Sequence, residues 1–212
     1  GEISITGSIA GTTFNWTNNN TLIGLAASGT GNIPSFTAIN NTTLPVTATI
    51  TIIPTIQGCT GPGKTFTITV NPMPAVTVPA EQRICNGTQT GTIYFASAVT
   101  GAVYTWTNNN TSIGLAATGT GNIPAFTAIN SSNVTDSAVI SVFATAAGCV
   151  GPVKTVTIIV DPSPSLVQPA NQAVCNGSNT GQVVFTGPVA GSVFTWTNNN
   201  NTIGLPASGS GN

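Results

Sequence analysis

The chain has 212 residues, a formal net charge of −1 and only 3% charged residues, against about 25% in ordinary soluble proteins. It has no histidine, and its charges are confined to Lys64, Lys154, Arg83, Glu2, Glu81, Asp136 and Asp161. Histidine-based triads, histidine-ligated metals and a cationic nucleic-acid surface are thereby excluded, and the four acids are too scattered for a calcium loop.

The residues are 40% hydrophobic with a mean hydropathy of +0.30, yet no run approaches the roughly 20 apolar residues of a membrane helix. Val, Ile, Phe and Trp alternate instead with Thr, Ser and Asn, which is the composition of β-structure. Self-similarity organises the whole chain. Trp16, Trp106 and Trp196 recur every 90 residues, and the pairs Cys59/Cys149 and Cys85/Cys175 keep the same interval. NWTNNNTLIGLAASGTGNIPSFTAIN from Asn15 matches TWTNNNTSIGLAATGTGNIPAFTAIN from Thr105 at all but four positions. Gly1 aligns with Gly91 and Asn212 with Asn122, so the sequence reads as a window on a longer array.

In chain order, residues 1–71 are a partial first repeat lacking its first strand, 75–164 a complete second repeat, and 165–212 a partial third. NPMP (Asn71 to Pro74) and DPSP (Asp161 to Pro164) mark the boundaries, because alternating prolines favour short, extended, stiff links. Within the complete repeat, strands are predicted at Ala75–Pro79, Thr92–Ser97 and Ala102–Thr107. A last pair is predicted at Ala138–Thr145 and Val153–Val160, around a turn from Ala146 to Pro152. Tyr104 and Trp106 point to one face. Val156, Ile158 and Val160 point inward, with Thr155 and Thr157 outward. The stretch 108–133 is less regular and has room for two short strands. About seven strands in 90 residues without a helical period predict an all-β fold, tandem immunoglobulin-like β-sandwich repeats, with Trp16, Trp106, Trp196, Tyr104 and Phe95 in the cores.

Four motifs together resemble a known group. They are the CNG element (Cys85-Asn86-Gly87 and Cys175-Asn176-Gly177), the YTWTN or FTWTN strand, the IGLAA-SGTGNIP-FTA-N segment, and the GC turn (Gly58-Cys59 and Gly148-Cys149). They resemble the PKD-like and related Ig-like repeats of giant Bacteroidota cell-surface adhesins, a group that includes SprB-like gliding adhesins and other type 9 secretion substrates. The resemblance covers the whole chain and implies secretion, cell-surface display and an extended stalk. It implies no activity and no cofactor. Its expected partners are other repeats of the same chain, other copies laterally or head-to-tail, and a surface polysaccharide or abiotic surface.

In an exported β-protein, four cysteines point to disulfides. Three connectivities exist. The complete repeat holds only Cys85 and Cys149, which makes that pair the leading choice and leaves Cys59 and Cys175 to partners outside the window. Against it, a cysteine before the second strand and one in the last hairpin turn of a standard sandwich lie at opposite ends. In that topology the bridges would link neighbouring repeats or chains.

The TNNNT turns, Asn108, Asn109 and Asn110 in the complete repeat, offer amide donors and acceptors to a glycan. They equally suit a turn, because asparagine tolerates left-handed backbone. The G-x-G of SGTGN lacks the third glycine, helix and lysine of a phosphate cradle. Asp136-Ser137-Ala138 matches the short O-glycosylation pattern of Bacteroidota, with Ser137 as acceptor, although a polar loop before a strand explains it as well. No acid or base recurs between repeats, since Asp136 aligns with Val46, so catalysis is not expected. Three functions follow in order: stalk repeats of a secreted adhesin, a carbohydrate-binding array of a glycan-degrading protein, and ice or mineral binding by threonine rows such as Thr65, Thr67 and Thr69.

Overall fold

The computed structural model describes residues 1–212. Its strands fall into three sheets, one per 90-residue stretch. The first holds β1 (Thr13–Asn18), β2 (Ser28–Thr30), β3 (Val46–Ile56), β4 (Cys59–Thr60) and β5 (Lys64–Val70), in the order β2-β1-β3-β4 with β5 also on β3. The second holds β6 (Gln82–Cys85), β7 (Val103–Asn108), β8 (Thr118–Thr120), β9 (Asp136–Ala146), β10 (Cys149–Val150) and β11 (Lys154–Asp161), in the order β6-β11-β9-β7-β8 with β10 on β9. The third pairs only β12 (Thr195–Thr197) with β13 (Ser208–Ser210). Short 3₁₀ turns at Thr21–Ile23, Thr111–Ile113 and Asn201–Ile203 are the only helical elements.

By packing, the chain forms two compact units. One is Gly1–Val78 with Phe95–Trp106 and Val142–Lys154. The other is Pro79–Tyr94 with Thr107–Ser141 and Thr155–Asn212.

In the first unit, β3 shows why these residues make a sheet. Ala48 and Ile50 are fully buried, while Thr47, Thr49 and Thr51 alternate on the other face, the period-two pattern of a half-buried strand. They pack with Trp16, Ile23, Leu25 and Ile33 in one core. The facing layer is sparse. Ile3 and Ile33 exchange backbone bonds of 2.9 and 3.0 Å as an isolated bridge, and in the second unit Ile93 and Ile123 repeat it at 3.0 and 3.1 Å.

The predicted third strand is β7, and the predicted last pair is β9 and β11. Ala75–Pro79 and Thr92–Ser97 are shorter than predicted: they form only the single bridges Thr77 with Ala96 and Ile93 with Ile123. Pro74 and Pro79 lack the N–H that a longer ladder would need. β6 was not predicted at all; it runs parallel to β11, with Cys85 opposite Asp161. The irregular stretch supplies one strand, β8, and one 3₁₀ turn where two strands had room.

Both long hairpins close through two successive left-handed residues, Gln57 (φ 48°) then Gly58 (φ 80°), and Ala147 (φ 47°) then Gly148 (φ 79°). This is the type I′ geometry whose twist matches that of the flanking strands.

Candidate functional site

The asparagine turns are built into the fold. Asn108 is 8% exposed. Its Nδ2 donates to the carbonyls of Leu115 (3.0 Å) and Ala116 (3.3 Å), and its Oδ1 accepts from Asn110 N–H at 2.9 Å. Asn18 makes the same three bonds to Leu25, Ala26 and Asn20. Asn109 accepts Val139 N–H at 2.8 Å, as Asn19 accepts Thr49 N–H at 2.7 Å. Asn110 caps the 3₁₀ turn by accepting Ser112 N–H at 3.1 Å, and its Nδ2 donates to Asp136 and to the Ser137 carbonyl. Each amide thus satisfies backbone groups that would otherwise be orphaned. Only Asn109 is exposed, and its oxygen is already engaged.

The indoles lie inside. Trp16 and Trp106 are each 3% exposed, and their Nε1–H groups are buried with no acceptor. A Cβ built on Gly29 would overlap the Trp16 ring, so this G-x-G serves close approach of strand to indole. Trp196 packs on Gly209 in the same way but is only half-buried, because its sheet consists of β12 and β13 alone. Phe95 is buried, and Tyr104 meets it edge-on with ring centroids 5.9 Å apart.

Thr65, Thr67 and Thr69 stand opposite Thr51, Thr49 and Thr47 in register, with the Thr47 and Thr69 hydroxyls 2.9 Å apart. Ninety residues on from Thr47, Thr49 and Thr51 stand Ser137, Val139 and Ser141, so the row is not common to the repeats. Ser137 is exposed at the start of β9.

The structure joins none of the four cysteines to another, and it sets Cys85 and Cys149 apart. Cys85 is opposite Asp161, the last residue of β11, whereas Cys149 precedes the first residue of that strand. Eight residues of strand span roughly 23–26 Å, far beyond the ~7 Å Cα separation that a disulfide tolerates.

The CNG loop belongs to the same end as Asp161. Asn86 N–H donates to the Asp161 carbonyl at 2.8 Å, and Asn86 Oδ1 accepts Asn130 N–H at 2.8 Å. Asn130, which sequence reasoning passed over, is 4% exposed. Its Nδ2 donates to the carbonyls of Val134 and Val160, both at 2.8 Å, and its Oδ1 accepts from Ser132 N–H and Oγ. Its only sequence signal is the recurrence of the FTAIN segment at Asn40 and Asn130.

Arg83 forms the one ion pair, a two-pronged contact to Asp161 at 2.7 and 2.8 Å. The Arg83 hydrogen bond holds the Asp161 carboxyl below its ordinary range, helped by Thr135. Asp136 is held low chiefly by the Ser112 hydroxyl, 2.6 Å away. A carboxyl whose folded value is depressed stabilises the fold above its unfolded value of about 3.9, and that contribution disappears as pH falls through the folded value. With no histidine to titrate, the urea midpoint is expected to stay flat from about pH 5 to 8 and to drop only in stronger acid. Asp161→Asn should remove the Arg83-dependent part of that acid limb. A slope between pH 5 and 8 would contradict this account.

No three of the Cys, Asp and Glu residues gather as a metal site, and no helix is long and apolar enough to cross a membrane.

Residues 2–74 match the model of the PKD-like domain. No curated protein sequence matches the chain. Among solved structures, it is similar to chicken VE-cadherin EC1-2, with 16% identity, a TM-score of 0.36 and coverage of 76% of this chain and 89% of that one. It is also similar to the human desmocollin-1 ectodomain, with 11% identity, a TM-score of 0.31 and coverage of 82% of this chain; it spans 38% of that ectodomain's length. The fold is that of tandem immunoglobulin-like β-sandwiches, PKD-like in the first repeat.

Proposed function

We propose that this array of sandwiches with a PKD-like first repeat is part of the stalk of a long, secreted bacterial surface adhesin. It would lie on the cell surface, serve attachment or gliding-type motility, and perform no catalysis. The observation that carries this reading is the packed link between the first two repeats. Pro74 is fully buried, and Asn71 Nδ2 donates to the Ala147 carbonyl at 3.0 Å. A link held by burial and a hydrogen bond resists bending, whereas flexible linkers leave their domains free. Repetition of such units adds length, with each unit supported mainly by its neighbours.

Low charge also suits close contact with polysaccharide, abiotic surfaces or other copies, because little like-charge repulsion opposes approach. The asparagine amides are engaged inside the turns, which weakens the case for a carbohydrate-binding array.

The test is immunogold microscopy of source cells with an antibody against residues 75–164, with the culture medium probed in parallel. Label strung along surface fibres is expected. Label confined to soluble particles in the medium, together with glycan binding by the chain, would overturn the stalk in favour of the binding array.

A further inference from the structure

The complete repeat carries one cysteine towards either end, Cys85 in the CNG element and Cys149 in the GC turn, and the partial repeats carry one each, Cys59 and Cys175. In the second unit, Cys85 is opposite Asp161, where the last strand of its repeat finishes. Asn86 and Ser163 exchange weak hydrogen bonds of 3.3 and 3.4 Å just beyond it. The CNG cysteine therefore sits at the outgoing end, beside the link to the next repeat.

In the first unit, the residue 90 positions before Asp161 is Asn71, which directly follows β5, the last strand of the first repeat. Its amide reaches forward to the Ala147 carbonyl at 3.0 Å. Four residues later in the receiving turn, Gly151 lies so close to the link that a Cβ there would overlap the Pro74 carbonyl oxygen. Contacts at 147 and 151 bracket Cys149, so the GC cysteine sits at the incoming end, against the outgoing end of the preceding repeat. Cys85 is exposed and Cys149 half-buried, so both thiols are accessible to an oxidant.

We infer that the CNG cysteine of each repeat is joined by a disulfide to the GC-turn cysteine of the following repeat, stapling the array across every junction. Each thiol loses one proton, and the two electrons pass to a disulfide oxidant, small-molecule or carried by a thiol oxidoreductase, which leaves as two thiols. In this pairing no two of Cys59, Cys85, Cys149 and Cys175 are partners of each other. Under the 90-residue period the partner of Cys149 would stand 90 residues before Cys85, that of Cys85 would stand 90 residues after Cys149, and those of Cys59 and Cys175 would stand one repeat further out. A staple at this place carries tension past the proline link, so the junction stays closed under load.

The test restores a partner to the first junction. Because Gly1 aligns with Gly91, a copy of residues 75–90 placed before Gly1 supplies the first repeat with its CNG loop in register. The lengthened chain is equilibrated in a glutathione redox buffer, alkylated and mapped by mass spectrometry without reduction. One bridge is expected, between the added cysteine and Cys149, with Cys59, Cys85 and Cys175 alkylated. Cys149→Ser should leave every thiol free. A bridge from the added cysteine to Cys59, a bridge from Cys85 to Cys149, or five free thiols in a chain with native β circular dichroism would overturn the inference. If the added segment does not fold, a copy of residues 123–212 placed after Asn212 tests the second junction, where Cys85 should bond the copied Cys149. Free thiols there too would overturn it.

Discussion

Trp16→Ala is expected to unfold the first repeat at a cost of about 3–5 kcal/mol, the range for deleting a buried aromatic side chain. Trp16 touches the centre of its core, with Ile23, Leu25, Ala48 and Ile50 around it and Gly29 against one face of the ring. On the side of the ring that Gly29 covers, there is no side chain to move into the space. Trp16→Phe should behave quite differently. It keeps an aromatic body and removes an indole N–H that is buried without an acceptor, a burden of about 1–3 kcal/mol for an unsatisfied polar group. The two terms oppose each other, and the net change should be within about 1 kcal/mol. Amide hydrogen exchange during urea titration resolves the repeats separately: Trp16→Ala should strip protection from β1 and β3. A loss under about 1 kcal/mol there would refute the account.

Asn130→Ala is expected to cost about 2–4 kcal/mol in the second repeat, more than any exposed asparagine. One side chain closes the loop from 130 to 134 and ties it to the end of β11 through the Val160 carbonyl. Its removal orphans that buried carbonyl, at about 1–3 kcal/mol, and releases the loop bonds as well. Asn40 makes the corresponding bonds to Leu44 and Val70 but is half-buried, so Asn40→Ala should cost less. Reversal of that order in the hydrogen-exchange stabilities of β5 and β11 would show that burial does not govern the effect.

Much of this architecture was legible because the sequence repeats itself. The 90-residue period located the three sheets, and alternation located β7, β9 and β11, whose inward residues Val156, Ile158 and Val160 are all buried. The indoles of Trp16 and Trp106 could be assigned to the core from their place in an alternating strand. β6 was not legible, since a four-residue QRIC segment has too few residues to display a period, and its pairing partner lies more than 70 residues away. The roles of the glycine in SGTGN and of Asn130 were hidden for a related reason. Both follow from what lies opposite them in space, an indole face in one case and a strand end in the other.

The cysteines divide the two kinds of information most clearly. Their 90-residue spacing placed one CNG cysteine and one GC cysteine in the complete repeat, Cys85 and Cys149. Composition likewise determined an all-β chain, without histidine chemistry or a cationic face, because residue type alone sets charge, donor inventory and strand preference. Where the cysteines stand in space came only from the tertiary structure, since Cys85 is opposite the last residue of β11 and Cys149 precedes its first, while the packed link carries Asn71 to the turn before Cys149. Covalent pairing depends on distance, and distance between strand ends is set by sheet register and junction packing, neither of which the spacing of residues along the chain encodes.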